Sequence, residues 1–186
     1  MCIFRSVTEE VRLARISFRK QTRVKRLVLG SFLACIAATL QTAGGFLPGI
    51  GYFISPFATL PILLGSLFSL QMGIMSYFLT IPLLLIVFPS ELFIFPLTTG
   101  LLGVGIGAGF YFFKKRWSVI CIGALTLTLG IMILLYVFHF PVLGPVASHS
   151  FSFLTAGSIL IFSFLYSWLW VELGILFFKK FKPFIL

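Results

Sequence analysis

Residues 91–120 read ELFIFPLTTGLLGVGIGAGFYFFKKRWSVI, and this stretch decides the fold class. Glu91 is the only charged residue from 91 to 113, where the basic triplet Lys114-Lys115-Arg116 interrupts the apolar run before a second one begins. A helix of about 20 apolar residues is long enough to cross the hydrocarbon core of a bilayer. The pattern therefore predicts two membrane-spanning helices joined by a short basic turn.

The whole chain repeats this contrast between apolar runs and basic turns. Of its 186 residues, 60% are hydrophobic and 10% are charged, and the mean hydropathy is +1.15. A soluble domain carries about 25% charged residues, so this chain cannot cover itself with a polar exterior. The composition excludes a soluble enzyme, a nucleic-acid-binding domain and a disordered protein, and it predicts an integral membrane protein.

The net charge of +10 is concentrated in three basic blocks, with no Lys or Arg between them. The blocks are Arg5, Arg12, Arg15, Arg19, Lys20, Arg23, Lys25 and Arg26; Lys114, Lys115 and Arg116; and Lys179, Lys180 and Lys182. Short basic segments stay on the cytoplasmic side of a membrane. If all three blocks are cytoplasmic, an even number of spans separates each block from the next.

The chain length between the blocks then predicts an all-α membrane protein with six transmembrane helices in one bundle and both termini in the cytoplasm. Residues 27–113 accommodate four spans of about 20 residues, and residues 117–178 accommodate two. The predicted spans are 27–44, 52–69, 72–88, 91–113, 117–138 and a stretch within 151–178. The nearly uncharged turn at Gln71 leaves open that the second and third spans form one re-entrant unit.

This topology divides the chain into a basic cytoplasmic arm (1–26), a six-helix transmembrane domain (27–178) and a basic cytoplasmic tail (179–186). The arm is not expected to be a secretory signal, because the apolar run after it is a full span without a small-residue cleavage site. Two alternatives remain for the arm. It is either a short helix lying on anionic lipid or a topology-setting tail without structure.

The sequence lacks the motifs of common catalytic and metal sites. It contains no GxxxxGK[ST], GxSxG or HExxH motif. The cysteines, which form no CxxC pair, are Cys2, Cys35 and Cys121. Glu9 and Glu10 lie in the arm, and Glu91 and Glu172 are predicted on opposite sides of the membrane, so no carboxylate pair is available for hydrolysis. We expect no enzymatic activity, no cofactor and no metal site.

Polar side chains gather at the outer ends of the predicted spans. Glu91 opens the fourth span, His139 closes the fifth, and His149 lies in the loop that follows. The uncharged polar candidates at this end are Gln41, Thr42, Tyr52, Thr98 and Thr99. One interpretation is a helix-end charge and two solvated histidines. The other is an outward-facing site for a small solute, with Glu91, His139, His149, Gln41 and Tyr52 as the binding residues.

Glu172 and two small-residue ladders also allow two interpretations each. Glu172 is the one acid well inside a span, where it either pairs with a basic residue or couples transport to protons. Gly30, Ala34 and Ala38 share one face of the first span, and the fourth span carries two GxxxG motifs, at Gly103 and Gly105. Small residues allow close helix packing. Internal packing is favoured for the fourth span, whereas the first-span strip is equally suited to docking a partner.

Taken together, residues 23–180 resemble the substrate-binding S component of energy-coupling factor (ECF) transporters. The resemblance rests on the six short spans, the lead-in Arg23-Val24-Lys25-Arg26, the Ala34-x-x-x-Ala38 motif and the Gly/Pro-rich loop 44–51. It implies a multi-pass protein of a bacterial or archaeal cell membrane that captures a vitamin or other micronutrient at its outer face. It also implies that Gly30, Ala34 and Ala38 dock on a transmembrane T component, which a pair of ATPase subunits drives.

Two other functions fit a membrane protein that has no nucleotide-binding loop of its own. One is a stand-alone small transporter that uses an ion gradient, for which Glu172 would be the coupling group. The other is a non-transporting scaffold or regulatory subunit, for which the basic arm would be the functional part. In each case the expected surroundings are the lipid bilayer and, for the transporters, a small-molecule solute, with no nucleic acid.

Overall fold

The computed structural model describes residues 11–13, 15–18, 20–47, 49–139 and 153–185, and within them every regular element is a helix. Six of these helices are long and apolar enough to cross a membrane. Their bounds are α1 Arg23–Phe46, α2 Gly51–Phe68, α3 Leu70–Val87, α4 Glu91–Phe112, α5 Arg116–Tyr136 and α6 Phe153–Ile185. The predicted all-α membrane architecture with six candidate spans is confirmed, and the side on which the termini lie stays a prediction.

Proline and threonine break two of the spans into segments. In α2 a 3-10 turn, Ser55–Ala58, separates the short helix Gly51–Ile54 from Thr59–Phe68. In α4 a turn at Thr98 separates Glu91–Leu97 from Thr99–Phe112. Pro56 lies in the first break and Pro96 lies two residues before the second. Proline has no N–H to donate to the preceding turn, so each of them weakens the helix at that point. Each of these two spans therefore consists of two helical segments that follow directly on one another.

The second and third spans are two separate helices, each long enough to cross a membrane, and whether both cross it stays a prediction. Each is 18 residues long, and the single residue Ser69, with an extended backbone, joins them. At a rise of 1.5 Å per residue, 18 residues cover about 27 Å, close to the thickness of the hydrocarbon core. The chain therefore turns back sharply between two full-length helices.

The glycines of α4 are buried against two neighbouring helices, as the sequence analysis favoured. A Cβ added at Gly103 would lie 3.0 Å from Ile62 Cβ and from the Thr59 carbonyl oxygen of α2. On the opposite face, a Cβ at Gly109 would lie 3.1 Å from Val119 of α5. Since both faces are in contact, α4 occupies the centre of the bundle, between α2 and α5.

The strip formed by Gly30, Ala34 and Ala38 is buried inside the chain, so the expectation of an exposed docking strip is wrong. It packs against α3, where the Ser76 hydroxyl lies 2.9 Å from the Gly30 carbonyl oxygen. One turn further on, Thr80 Oγ1 lies 3.4 Å from the Ala34 carbonyl oxygen. Small side chains on α1 expose backbone carbonyls, and hydroxyls spaced four residues apart on α3 reach them.

The N-terminal segment is docked on the bundle. Residues 11–13 and 15–18 are helical, and the side chains of Val11 and Phe18 are buried. The Phe18 ring lies 5.7 Å from Phe68 at the end of α2, and Phe68 lies 5.1 Å from Phe178 of α6. The interpretation of the arm as a tail without structure is therefore wrong for residues 11–13 and 15–18.

These contacts gather the described basic residues at one end of the bundle. The segment before α1, the turn between α4 and α5 and the last turns of α6 all lie there, and this region is called the basic end below. The helix α6 continues through Lys179 and Lys180 to Ile185, so the predicted domain limit at residue 178 is not a helix end. The ends of α1, α3 and α5 and the starts of α2, α4 and α6 form the opposite end.

Candidate polar site at the opposite end of the bundle

Three polar side chains form a buried hydrogen-bonded cluster at the opposite end. The Gln41 amide Nε2 donates to Glu91 Oε2 over 2.8 Å, and the Thr99 hydroxyl donates to Gln41 Oε1 over 2.8 Å. Gln41 is fully buried, and Glu91 and Thr99 are each 9% exposed. A carboxyl group, an amide and a hydroxyl are therefore held together inside the bundle, and this polar cluster is the candidate site.

Glycines at the end of α1 bring the neighbouring helices close to this cluster. A Cβ added at Gly44 would lie 3.3 Å from Ser55 Cβ and 3.6 Å from Glu91 Oε1. Gly51, the first residue of α2, sits against the backbone carbonyl of Ala43. Because neither glycine has a side chain, α1, α2 and α4 converge where Glu91 enters the bundle.

The break in α4 completes the polar cluster. Glu91 belongs to the first segment of α4 and Thr99 opens the second, so the turn at Thr98 sets their relative orientation. Thr98 itself donates from Oγ1 to the carbonyl oxygen of Ile94 over 2.6 Å and stabilises the end of the first segment. Two segments of one span thus contribute separate groups to the same cluster.

The polar partner of the Glu91 carboxyl group within the described chain is an uncharged amide. Among the described residues, the single salt bridge joins Arg116 and Glu172, and Gln41 is the hydrogen-bond partner of Glu91. A buried carboxylate without a cation is costly, and it is relieved by a proton or by a bound positive group. The cluster is therefore suited chemically to taking up a proton or the cationic or polar head of a small solute.

The structure brings together some of the residues predicted for an outer site and separates others. Gln41 and Glu91 meet, together with Thr99. Tyr52 is 72% exposed and lies outside the polar cluster. Thr42 bonds back to its own helix, with its hydroxyl 3.0 Å from the Thr39 carbonyl oxygen.

Of the two histidines predicted for the outer site, His139 lies within the described residues and His149 does not. His139 follows α5 and has a positive φ of 51°. The neighbouring Phe138 ring lies 5.3 Å from Phe93, so His139 belongs to the same end of the bundle as Glu91. His149 lies outside the described residues, and with it the far side of the predicted cavity.

Glu172 is part of an ion pair at the basic end. Its carboxylate contacts the guanidinium of Arg116, the first residue of α5. The alternative of pairing with a basic residue therefore describes this glutamate better than a proton-coupling site. Within the described residues there is no group of three or more His, Cys, Asp or Glu side chains that would hold a metal ion.

Comparison of the chain with protein-family models, with curated proteins and with solved structures finds no match. The likeness to ECF S components therefore rests on the sequence features quoted above.

Proposed function

We propose that this chain is the solute-binding subunit of a membrane transporter and that it captures a small cationic or polar solute at Gln41, Glu91 and Thr99. The observation that carries the proposal is the Glu91 carboxyl group, buried in a membrane helix bundle with an amide as its hydrogen-bond partner. Ionisable groups inside membrane proteins are expensive to bury, and they commonly mark a substrate or ion pathway.

The distribution of charge supports an outward-facing site. Basic segments are retained in the cytoplasm, and the described basic residues gather at the end away from Glu91. The polar cluster would then face the outside, where a solute arrives. Uptake from the outside into the cell is the direction that this arrangement serves.

An energy source in partner chains is the second part of the proposal. By its resemblance to S components, the chain would work with a transmembrane T component and a pair of ATPases. The Gly30, Ala34 and Ala38 strip is not the docking surface in this proposal, because α3 covers it. The opposite face of α1, which carries the exposed side chains of Val28 and Phe32, is free to meet another transmembrane helix.

The structure also favours one competing function, a stand-alone transporter coupled to protons. A carboxyl group with a neutral hydrogen-bond partner can bind and release a proton, and Glu91 meets that requirement better than Glu172, which is paired with an arginine. The two functions differ in what they need. A solute-binding subunit requires partner ATPases, whereas a proton-coupled carrier moves solute and protons by itself.

Thermal unfolding of the purified protein, screened against water-soluble vitamins, amino acids and polyamines, tests the proposal. A ligand at about 100 times its Kd stabilises the folded state by about 2.7 kcal/mol, which raises Tm by several degrees. Glu91→Gln should abolish this rise, and Glu172→Gln, which removes the other membrane glutamate, should leave it unchanged. A stabilising solute whose effect survives in Glu91→Gln would refute the assignment of the site.

Proteoliposomes that contain this chain alone distinguish the two transport functions. With a pH-sensitive dye inside the vesicles, a proton-coupled carrier acidifies the lumen when the stabilising solute is added outside. The proposed subunit binds the solute without moving protons. Solute-dependent acidification that is lost in Glu91→Gln would replace the subunit hypothesis with the carrier hypothesis.

A further inference from the structure

Two adjoining cavities lie at the basic end, on either side of the turn between α2 and α3. The larger has a volume of about 450 Å³ and the smaller about 200 Å³. Ser69 and Gln71 line both of them, so they share one wall. Neither cavity contacts the polar cluster around Glu91, which lies at the other end of the bundle.

Four arginines surround these cavities without a described counter-anion. They are Arg12 and Arg15 in the larger cavity and Arg23 and Arg26 in the smaller one. Of the described carboxylates, Glu91 lies at the opposite end and Glu172 is paired with Arg116. Converging positive charges raise the local concentration of anions. The cavities are therefore suited to a negatively charged ligand.

The hydrogen-bond donors of these arginines differ in whether they already have an acceptor. Arg15 donates hydrogen bonds from its guanidinium nitrogens to backbone carbonyls of α2 and α4. Arg26 Nε is buried and, within the described chain, has no hydrogen-bond partner. A buried donor without an acceptor is costly, and a ligand oxygen would remove that cost. Arginine binds phosphate oxygens well because its planar donors can engage two of them at once.

The remaining walls are apolar and belong to the first turns of two spans. Leu27 of α1 and Met72 and Met75 of α3 line the smaller cavity beside its arginines. A free inorganic anion gains nothing from such side chains. A phospholipid gains from both parts, because its phosphate meets the arginines while the start of its acyl chain lies along the apolar wall.

We propose that the two cavities form one binding site for the phosphate headgroup of an anionic phospholipid. Arg23 and Arg26 bind the phosphate in the smaller cavity, and the positive charges of Arg12 and Arg15 in the larger cavity strengthen its attraction. The lipid thereby fixes the turn at Ser69 and the docked N-terminal segment relative to each other. This site is independent of the solute site proposed above.

Retention of lipid by the full-length protein tests this site. The protein is reconstituted in phosphatidylcholine alone or mixed with phosphatidylglycerol, extracted gently and analysed by native mass spectrometry. Arg23→Gln/Arg26→Gln should retain about tenfold less phosphatidylglycerol than the wild type. The matched control Lys179→Gln/Lys180→Gln removes two exposed charges from the same end, outside both cavities, and should retain the wild-type amount.

Four outcomes would count against the proposal. Equal losses in the arginine and lysine variants would mean general surface attraction, and an unchanged arginine variant would mean no site. If millimolar inorganic phosphate displaced the retained phosphatidylglycerol, the cavities would be assigned to a free anion instead. Arg23→Lys/Arg26→Lys keeps both charges, so it decides the question if the glutamine variant fails to fold. It should retain less phosphatidylglycerol than the wild type, and full retention would contradict the role of the guanidinium donors.

Discussion

Arg15 is the residue that we expect to hold the N-terminal segment on the bundle. Its Nε donates to the Leu67 carbonyl oxygen over 2.9 Å, and its Nη1 lies 3.3 Å from the Phe110 carbonyl oxygen. Its Nη2 lies 3.3 Å from Ser66 O and 3.4 Å from Gly107 O. One guanidinium therefore joins the last turns of α2 and α4, where the carbonyls of Ser66, Leu67 and Phe110 are among the last four of their helices and carry partial negative charge.

The bond lengths set the expected size of the effect of Arg15→Met. One bond has a typical length and three are long, so we count one charge-assisted bond of about 1.5–3 kcal/mol and treat the others as weak. Methionine also removes the cost of desolvating the guanidinium. The expected net loss is about 2 kcal/mol, equivalent to about a 30-fold larger undocked population of residues 11–18.

Hydrogen–deuterium exchange of the protein in lipid nanodiscs measures this undocking. Amides 11–18 should lose protection by about 30-fold in Arg15→Met, and the spans should keep theirs. Arg15→Lys should give an intermediate loss, because an ammonium cannot reach both helices as the planar guanidinium does. Lys20→Met removes a neighbouring exposed charge that lines neither cavity and is the control. Equal protection in Arg15→Met and Lys20→Met would refute the role of Arg15.

The protonation of Arg15 predicts how docking depends on pH. Burial lowers the pKa of Arg15 to about 10, so the side chain stays charged at neutral pH. Because this pKa is below that of the unfolded state, the burial penalty is present in full below about pH 10 and is relieved as the pH rises toward 12.5. Protection of residues 11–18, corrected for intrinsic exchange, should be constant between about pH 5.5 and 8.5. A large change in that window would mean that another group controls docking.

Three further predictions concern the bundle itself, and thermal unfolding in detergent measures each of them. Gly103→Val should destabilise the fold by about 1–3 kcal/mol by overpacking, whereas Gly157→Val, where an added Cβ meets nothing within 4 Å, should not. Gln41→Leu should cost about 1–3 kcal/mol, because it leaves the Glu91 carboxyl group without its amide donor, and a smaller loss would contradict a buried cluster. Glu172→Gln should cost less than about 1 kcal/mol, since its side chain is 40% exposed, and a larger loss would show that the pair is structural.

The number of spans was predictable because the charges that mark helix ends are confined to three blocks. The first and last residues of the individual spans were less predictable. The first span was predicted to begin at 27, but α1 begins at Arg23, where the side chain of Thr22 accepts a hydrogen bond from the Lys25 N–H over 3.3 Å. A capping threonine and long basic side chains that reach the interface extend the helix beyond its apolar run.

The partner of the α1 strip could not be predicted from the strip alone. A ladder of small residues indicates that another helix approaches closely, and it does not identify that helix. The missing signal was a matching ladder elsewhere in the chain. Ser76 and Thr80 are four residues apart on α3, as Gly30 and Ala34 are on α1, and their hydroxyls reach the carbonyls that the small residues expose.

The sequence of the docked N-terminal segment also contains a helical spacing of apolar residues, which is easily overlooked among its many basic residues. Val11, Arg15 and Phe18 are spaced by four and three residues, so they share one face of a helix. The two apolar members are buried and the arginine between them reaches the carbonyls of two spans. Eight basic residues in this region predicted either a short helix on anionic lipid or a tail without structure, whereas one of them, Arg15, donates to carbonyls of the bundle.

The broken helix α4 connects the two ends of the molecule. Its first segment carries Glu91, which Gln41 ties to α1, and its second segment ends at the carbonyls that Arg15 ties to α2. The glycines of the second segment let α2 and α5 pack closely on its two faces, so it is fixed from its centre to the basic end. The first segment, Glu91–Leu97, is joined to it through the turn at Thr98 and is also held by α3, where the Tyr77 hydroxyl donates to the Pro96 carbonyl oxygen over 3.1 Å. In the proposed function, a solute at Glu91 would therefore meet a segment that α1 and α3 hold, while Arg15 holds the other end of α4 to α2.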